Sequence, residues 1–327
     1  MNLRVAVTGA NGFIGRHLVL SLLESGHEVC AIIRSETAAA RLPEGADVRL
    51  ISDPHSTQCW EDALAQSDTV IHLIGLAHAA ARDKSDLMMR FRETNVEVTE
   101  RVVEACIDRD VQRFIYLSSI KAVGEGALTA YIEESPCLPE NSYGKSKREA
   151  ELLILERSRG TAIEASIVRP PVVYGPGGKG NILRMMKLVR NPLPLPIRCL
   201  TAKRSMVYVG NLVDALCCMV DAEQPVQGVF HISDAEEPLT TRETFLELGR
   251  LMGKRIFEVP LPGSLLRVMG RLVGMREEAD RLTRSLTTQG LRLTHDLGWR
   301  PPYSMQEGLS ATVQWFVEHE NRHDEEG

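Results

Sequence analysis

Along the first half of the chain, apolar residues gather in short runs of strand length. Between these runs lie longer stretches in which they recur every three to four positions. That alternation is the pattern of βαβ units laid on a parallel sheet. It predicts strands over 3–8, 28–33, 48–51, 69–74, 113–119 and 162–169, with helices over 13–25, 87–108 and 143–158 between them. Gly26 sits where a C′ glycine would close the first helix. After Arg169 the texture changes: Pro170, Pro171, Pro176, Pro192, Pro194 and Pro196 punctuate short segments. A loop-rich region over the carboxyl ends of the strands is expected there, followed by helices over 211–221 and 241–252, and the polar run 318–327 is expected to fray. The fold class expected is α/β: a doubly wound parallel Rossmann sheet over 1–169, to which 203–221 returns, with a smaller C-terminal substrate-binding region over 170–327.

One segment of that smaller region, GSLLRVMGRLVGM at 263–275, sets arginines among leucines at helical spacing. A membrane-surface helix has this pattern. Only two arginines lie inside it, so the expectation is a packed helix.

Composition narrows the function classes. Hydrophobic residues at 43% and charged residues at 25% of 327 exclude extensive disorder. The net charge of −6, from 38 basic and 44 acidic side chains, leaves no overall cationic field for a phosphate backbone, and nucleic acid is not an expected partner. The seven cysteines show no C-x-x-C spacing, so neither a disulfide framework nor a metal site is expected. Met1-Asn2-Leu3-Arg4 runs straight into the first strand, and no run of about 18 uncharged apolar residues follows anywhere. A cytoplasmic protein without a stable membrane anchor is expected.

The chemistry starts at TGANGFIG, residues 8–15, which places Gly9, Gly12 and Gly15 between the first strand and the first helix. Gly9 permits the tight turn, Gly12 lets the backbone approach a pyrophosphate, and Gly15 allows close packing of helix on strand. Asn11, Phe13 and Ile14 complete the loop and open the helix, whose free N–H groups suit an anion. This is a dinucleotide site. The second strand ends in Ile33-Arg34-Ser35, where an NAD site usually carries an acidic residue for the ribose 2′-hydroxyl. Arg34 suits a 2′-phosphate instead, so NADP is the expected cofactor, with NAD the alternative. Asp53, after the third strand, either accepts from the adenine amino group or caps the following helix.

Tyr143 and Lys147 are spaced i and i+4, so on a helix they share a face. A phenol is a poor base near neutral pH unless a cation stabilises its phenolate, which a lysine one turn away can do. Ser118-Ser119 ends the fifth strand, and strand ends and following helices converge on the ligand crevice of such a sheet. Only one of the two serines can face that crevice.

The glycine motif, His72-Leu73-Ile74-Gly75, Asn95, the serine, and Tyr143 with Lys147 together resemble the extended short-chain dehydrogenase/reductase family, specifically its NAD-dependent epimerase/dehydratase group acting on nucleotide sugars. RPPVVYGP at 169–176, RSMVYV at 204–209 and LGWRP at 297–301 extend the resemblance over nearly the whole chain. LSSIKAVGE, RPPVVYGPGGKGN and RSMVYVGNLVDA look closest to the bacterial UDP-N-acetylquinovosamine dehydrogenase/4-reductase type of surface-polysaccharide synthesis. The resemblance implies Ser119 as the catalytic serine, Tyr143 as the acid/base and Lys147 as the residue that binds nicotinamide ribose, with Ser118 structural. It also implies Leu73, Gly75 and Asn95 at the cofactor, Ser119, Asn181 and Arg204 at a UDP-linked substrate, and a homodimer through the helices over 87–108 and 143–158. Val172, Ile74 and Val98 depart from common epimerase residues at their positions. The expected activity is reduction of the C4 ketone of a UDP-linked 6-deoxy-4-keto amino sugar. A nucleotide-sugar 4-epimerase with tightly held NAD and a non-catalytic NADP(H)-sensing regulator are the alternatives.

Overall fold

The structure is a computed structural model that describes residues 2–77, 83–127, 129–234, 237–272 and 276–325. Its elements in chain order begin with β1 (Arg4–Thr8), α1 (Phe13–Glu24), β2 (Glu28–Ile33), β3 (Asp47–Leu50), α2 (Thr57–Leu64) and β4 (Thr69–His72). They continue with α3 (Lys84–Arg92), α4 (Val98–Asp108), β5 (Arg113–Leu117), α5 (Ser142–Arg157), β6 (Glu164–Arg169), β7 (Val172–Tyr174) and α6 (Asn181–Arg190). The remainder are β8 (Met206–Tyr208), α7 (Val209–Asp221), β9 (Gly228–His231), α8 (Thr241–Leu251), α9 (Gly263–Leu272), α10 (Arg276–Thr283), α11 (Arg292–Leu297) and α12 (Met305–Glu325).

Seven strands form one parallel sheet in the order β3-β2-β1-β4-β5-β6-β9. The order reverses between β1 and β4, which opens a crevice beyond their carboxyl ends, the place where doubly wound sheets hold ligands. Central strands buried on both faces read as continuous apolar runs, as in Val5-Ala6-Val7 and Cys30-Ala31-Ile32-Ile33. On one face α1 and α7 pack with Leu18, Leu22, Leu212 and Leu216; on the other α2, α4 and α5 pack with Trp60, Val102, Val103 and Ile154. A third core, around Met185, Met186, Phe245 and Phe316, joins α6, α8 and α12 and lies outside the sheet. No helix among the described residues is long and apolar enough to cross a membrane.

Several expectations are corrected. The helix expected over 87–108 is interrupted by a π-type turn, Glu93–Glu97, which inserts an extra residue and turns Asn95 fully inward. The strand expected to reach Ile74 stops at His72, and that expected to reach Ser119 stops at Leu117, beyond which Ser119 caps a 3-10 turn over Ile120–Ala122. Helix α12 runs through the polar segment to Glu325; 326–327 lie outside the described residues. In the 263–275 segment, helix α9 packs only along one edge, with Gly270 buried, and leaves Leu265, Val268, Met269 and Leu272 exposed; 273–275 lie outside the described residues.

Candidate active site

The glycine loop takes the shape its residues require. Gly9 has φ +67°, and its N–H donates to Ile32 O at 3.1 Å, pinning the turn between β1 and β2. A Cβ on Gly15 would lie 2.5 Å from Gly9 O, so only hydrogen fits there. No side chain among the described residues caps α1, whose first N–H groups therefore face outward from Gly12. Such a cradle fits a pyrophosphate. Asn11 is exposed, and Phe13 and Ile14 are part-buried at its rim. Arg34 stands exposed just past β2 and pairs with no acidic side chain among the described residues. Asp53 accepts from His55 N at 2.9 Å, while Ser56 caps α2, so helix capping falls to Ser56 and not to Asp53.

On the far side of the crevice stand Ser119, Tyr143 and Lys147. Ser119 ends the β5 segment and its Oγ accepts from Lys121 N at 3.3 Å, while Asn141 caps α5 by accepting from Gly144 N at 2.7 Å. These two turns set the Tyr143 phenol beside Ser119. Burial pushes the Tyr143 phenol up to about 12, and the neighbouring Ser119 hydroxyl opposes that rise. Lys147 is buried one turn along. Its Nζ donates to Leu117 O at 2.7 Å and to Tyr116 Oη at 2.9 Å, which leaves one N–H uncommitted. Burial draws this ammonium down to about 7, against the raising effect of Glu151.

Gly75 explains how the two sides meet. A Cβ there would lie 3.2 Å from Lys147 Nζ and 3.7 Å from Asn95 Oδ1, so a larger residue would press on both. Leu73 N donates to Thr8 Oγ1 at 3.2 Å, tying the exit of β4 to the end of β1. Asn95 uses both amide hydrogens, on Leu76 O at 3.0 Å and Ser146 Oγ at 2.9 Å, and accepts from Leu76 N at 2.7 Å. It holds the loop after β4 against α5.

Two buried polar networks escaped sequence reasoning. In the first, Thr8 Oγ1 meets His72 Nδ1 at 2.7 Å, His72 Nε2 meets Thr99 Oγ1 at 3.0 Å, and Thr99 Oγ1 donates to Asn95 O at 2.9 Å. Tyr116 stacks on His72, with ring centroids 5.7 Å apart, and accepts from Lys147. Burial and the Lys147 charge take His72 down to about 3, so its ring stays neutral. Since Thr99 spends its own proton on Asn95, His72 Nε2 is the donor to Thr99 and Nδ1 accepts from Thr8. In the second network, fully buried Glu151 accepts from Ser118 Oγ at 2.6 Å, from Arg169 at 2.8 and 2.6 Å, and from Arg148 at 3.0 Å. Ser118 thus turns toward α5 and leaves the crevice to Ser119. Period-two alternation on β5 puts Tyr116 with Ser118, a signal that the sequence contained.

The substrate-side residues are less uniform. Asn181 is the first residue of α6 and is part-buried. Arg204 is no solvated surface arginine: its Nη1 donates to Arg281 O at 3.0 Å and Arg284 O at 3.1 Å, at the C-terminal end of α10, while its Nε is buried without a partner among the described residues. Burial lowers the pKa of this guanidinium, and the Arg281 and Arg284 charges add to the effect against Glu125.

Comparison with known proteins decides the family. A sequence profile of the NAD dependent epimerase/dehydratase family matches residues 5–233. The chain belongs to that family. It is similar to a UDP-glucose 4-epimerase of Vibrio cholerae, with 34% identity over 322 residues, 97% of each chain. An N-acetyl-alpha-D-glucosaminyl-diphospho-ditrans,octacis-undecaprenol 4-epimerase of Escherichia coli O157:H7 is 27% identical, covering 99% of this chain and 98% of that one. Among solved structures, MoeE5 in complex with UDP-glucuronic acid and NAD superposes with a TM-score of 0.78 at 27% identity, covering 97% of this chain and 99% of that one. The UDP-glucose 4-epimerase of Thermus thermophilus in complex with NAD gives 0.75 at 25% identity, covering 96% and 99%. The Rossmann-like sheet and the enzyme class expected from sequence are those of this family.

Proposed function

We propose that this family member is an NADPH-dependent reductase of the C4 ketone of a UDP-linked 6-deoxy-4-keto amino sugar, serving surface-polysaccharide synthesis. The observation that carries the reductive direction is Arg34, an exposed cation at the end of β2 where a retained NAD would call for a carboxylate. The crevice fits a dinucleotide through the Gly9–Gly15 cradle and the uncommitted Lys147 N–H, and such a cofactor would supply the hydride.

The residues of the chain do the rest. Ser119 and Tyr143, neighbours in the crevice, would hold a carbonyl oxygen between two hydroxyls. Burial keeps Tyr143 a phenol at neutral pH, so it is ready to donate its proton to that oxygen as negative charge develops. The phenolate left behind lies one helical turn from Lys147, whose charge stabilises it until solvent returns the proton. Arg204, with its orphaned Nε, and Asn181 are assigned to the diphosphate end of the substrate.

A second reading, 4-epimerisation with retained NAD, is supported by the name of the Vibrio cholerae relative and by the NAD held in the similar structures. Dinucleotide released on denaturing the purified protein separates the two. Substoichiometric release with turnover of added NADPH fits the reductase; one NAD per chain with no use of added NADPH fits the epimerase. The reading also includes a cytoplasmic homodimer through α4 and α5, where Leu152 stands half exposed beside Leu153, Glu100 and Arg157. Light scattering is expected to return twice the chain mass of 36.3 kDa, and a monomer would remove that part.

A further inference from the structure

We propose that helix α9 rests on an anionic lipid surface, making the protein a reversible, peripheral membrane binder. Leu265, Val268, Met269 and Leu272 recur at i, i+3, i+4 and i+7 and are 46%, 51%, 48% and 81% exposed. At about 100° per residue they form one stripe along the helix. The packing needs of α9 are met elsewhere on its circumference: Leu266 joins the third core and Gly270 is buried. The stripe is therefore left uncovered by the described residues of its own chain, although a solvated helix face would carry polar residues there. Phe257 and Val259, two positions apart in the segment leading to α9, are likewise exposed, while Glu258 between them is taken up by Arg242.

Charge names the occupant. From 254 to 272 the chain carries Lys254, Arg255, Arg267 and Arg271 against the single acid Glu258, in a protein whose net charge is −6. Arg267 and Arg271 have no ion-pair partner among the described residues and lie on one flank of the stripe, Arg271 about 60° and Arg267 about 100° round from Val268. Long cationic side chains beside an apolar stripe let the stripe enter the acyl boundary while the guanidinium groups stay among headgroups. A two-fold contact between copies would set these same cations against each other. An anionic bilayer satisfies both the stripe and the arginines.

The test is co-sedimentation of the full chain with vesicles of mixed phosphatidylglycerol and phosphatidylcholine, against vesicles of phosphatidylcholine alone. Binding to the anionic vesicles is expected, weakening with added salt. The pair Arg267→Gln and Arg271→Gln is expected to lower the partition coefficient about 10- to 30-fold, at roughly a factor of five per charge near such a surface. The pair Met269→Ser and Leu272→Ser, at exposed positions that folding does not use, is expected to abolish binding with an unchanged circular dichroism spectrum. No sedimentation of the wild type with anionic vesicles would overturn the proposal. So would binding indifferent to both pairs, or dissociation of an oligomer by the serine pair, which would assign the stripe to a second copy of the chain.

Discussion

Replacing Glu151 by glutamine isolates what anchors α5 to the ends of β5 and β6. The carboxylate is fully buried and takes four hydrogen bonds: two from Arg169 on β6, one from Ser118 after β5 and one from Arg148 on its own helix. Arg169 is only 1% exposed, so removing the charge on Glu151 strands a guanidinium in the interior. Breaking a buried pair from one side costs about 3–5 kcal/mol, chiefly through that stranded charge. The amide adds a second cost, because its NH₂ must face at least one of the donors. Substituting both partners by apolar residues, Glu151→Leu with Arg169→Met, removes the uncompensated charge and is expected to recover most of the loss, leaving the orphaned Ser118 hydroxyl as the main residue. Equilibrium urea unfolding of the wild type, the single and the double variant measures each step. A single-variant loss under about 1 kcal/mol, or a double variant no better than the single, would refute the claim that this pair anchors α5 to the strand ends.

Three further outcomes follow from the same geometry. Tyr143→Phe removes the proton donor and is expected to lower turnover about 10²- to 10⁴-fold with cofactor affinity nearly unchanged; steady-state rates above half of wild type would take Tyr143 out of the chemistry. Arg34→Ala is expected to erase, and Arg34→Asp to reverse, a preference for NADPH over NADH of about 10- to 150-fold, read as the ratio of kcat/KM values; equal constants in the wild type would reduce Arg34 to a solvated charge. His72 and His231 are held neutral, with folded pKa values of about 3 and about 4 against an ordinary 6.5, so the unfolded chain binds protons that the folded chain refuses. Stability should therefore fall as pH drops from 6.5 towards 3, and urea midpoints that stay level or rise across that window would contradict the buried neutral imidazoles.

How much the sequence revealed depended on the range of the interaction. Gly9 and Gly15 were legible because a positive φ and a 2.5 Å approach each demand glycine, and their spacing is local. Tyr143 and Lys147 were legible because i, i+4 on a helix fixes a shared face. The cluster of His72, Thr99, Tyr116 and Lys147 draws on β4, α4, β5 and α5, and no local pattern couples those positions. The π-type turn at Asn95 has no Gly or Pro to announce it. Strands β7 and β8 have three residues each and β9 four, too short to show a period. The carbonyls that receive Arg204 come from residues 77 and 80 positions later, so its burial could not be read from RSMVYV. For α9 the periodicity identified an apolar stripe correctly but carried no information about which edge the fold would use.

In the proposed reaction, hydride passes from a free, exchangeable NADPH to C4 of a 4-keto sugar while Tyr143 supplies the proton. The most direct measurement uses NADPH deuterated at its transferable position, a UDP-linked 6-deoxy-4-keto amino sugar, and mass spectrometry of the product. One deuterium per product molecule is expected, located at C4, with one NADPH oxidised per turnover and both lost in Tyr143→Phe. Recovery of the 4-keto sugar unreduced with the NADPH unspent, or a reduced product that carries no deuterium, would contradict it.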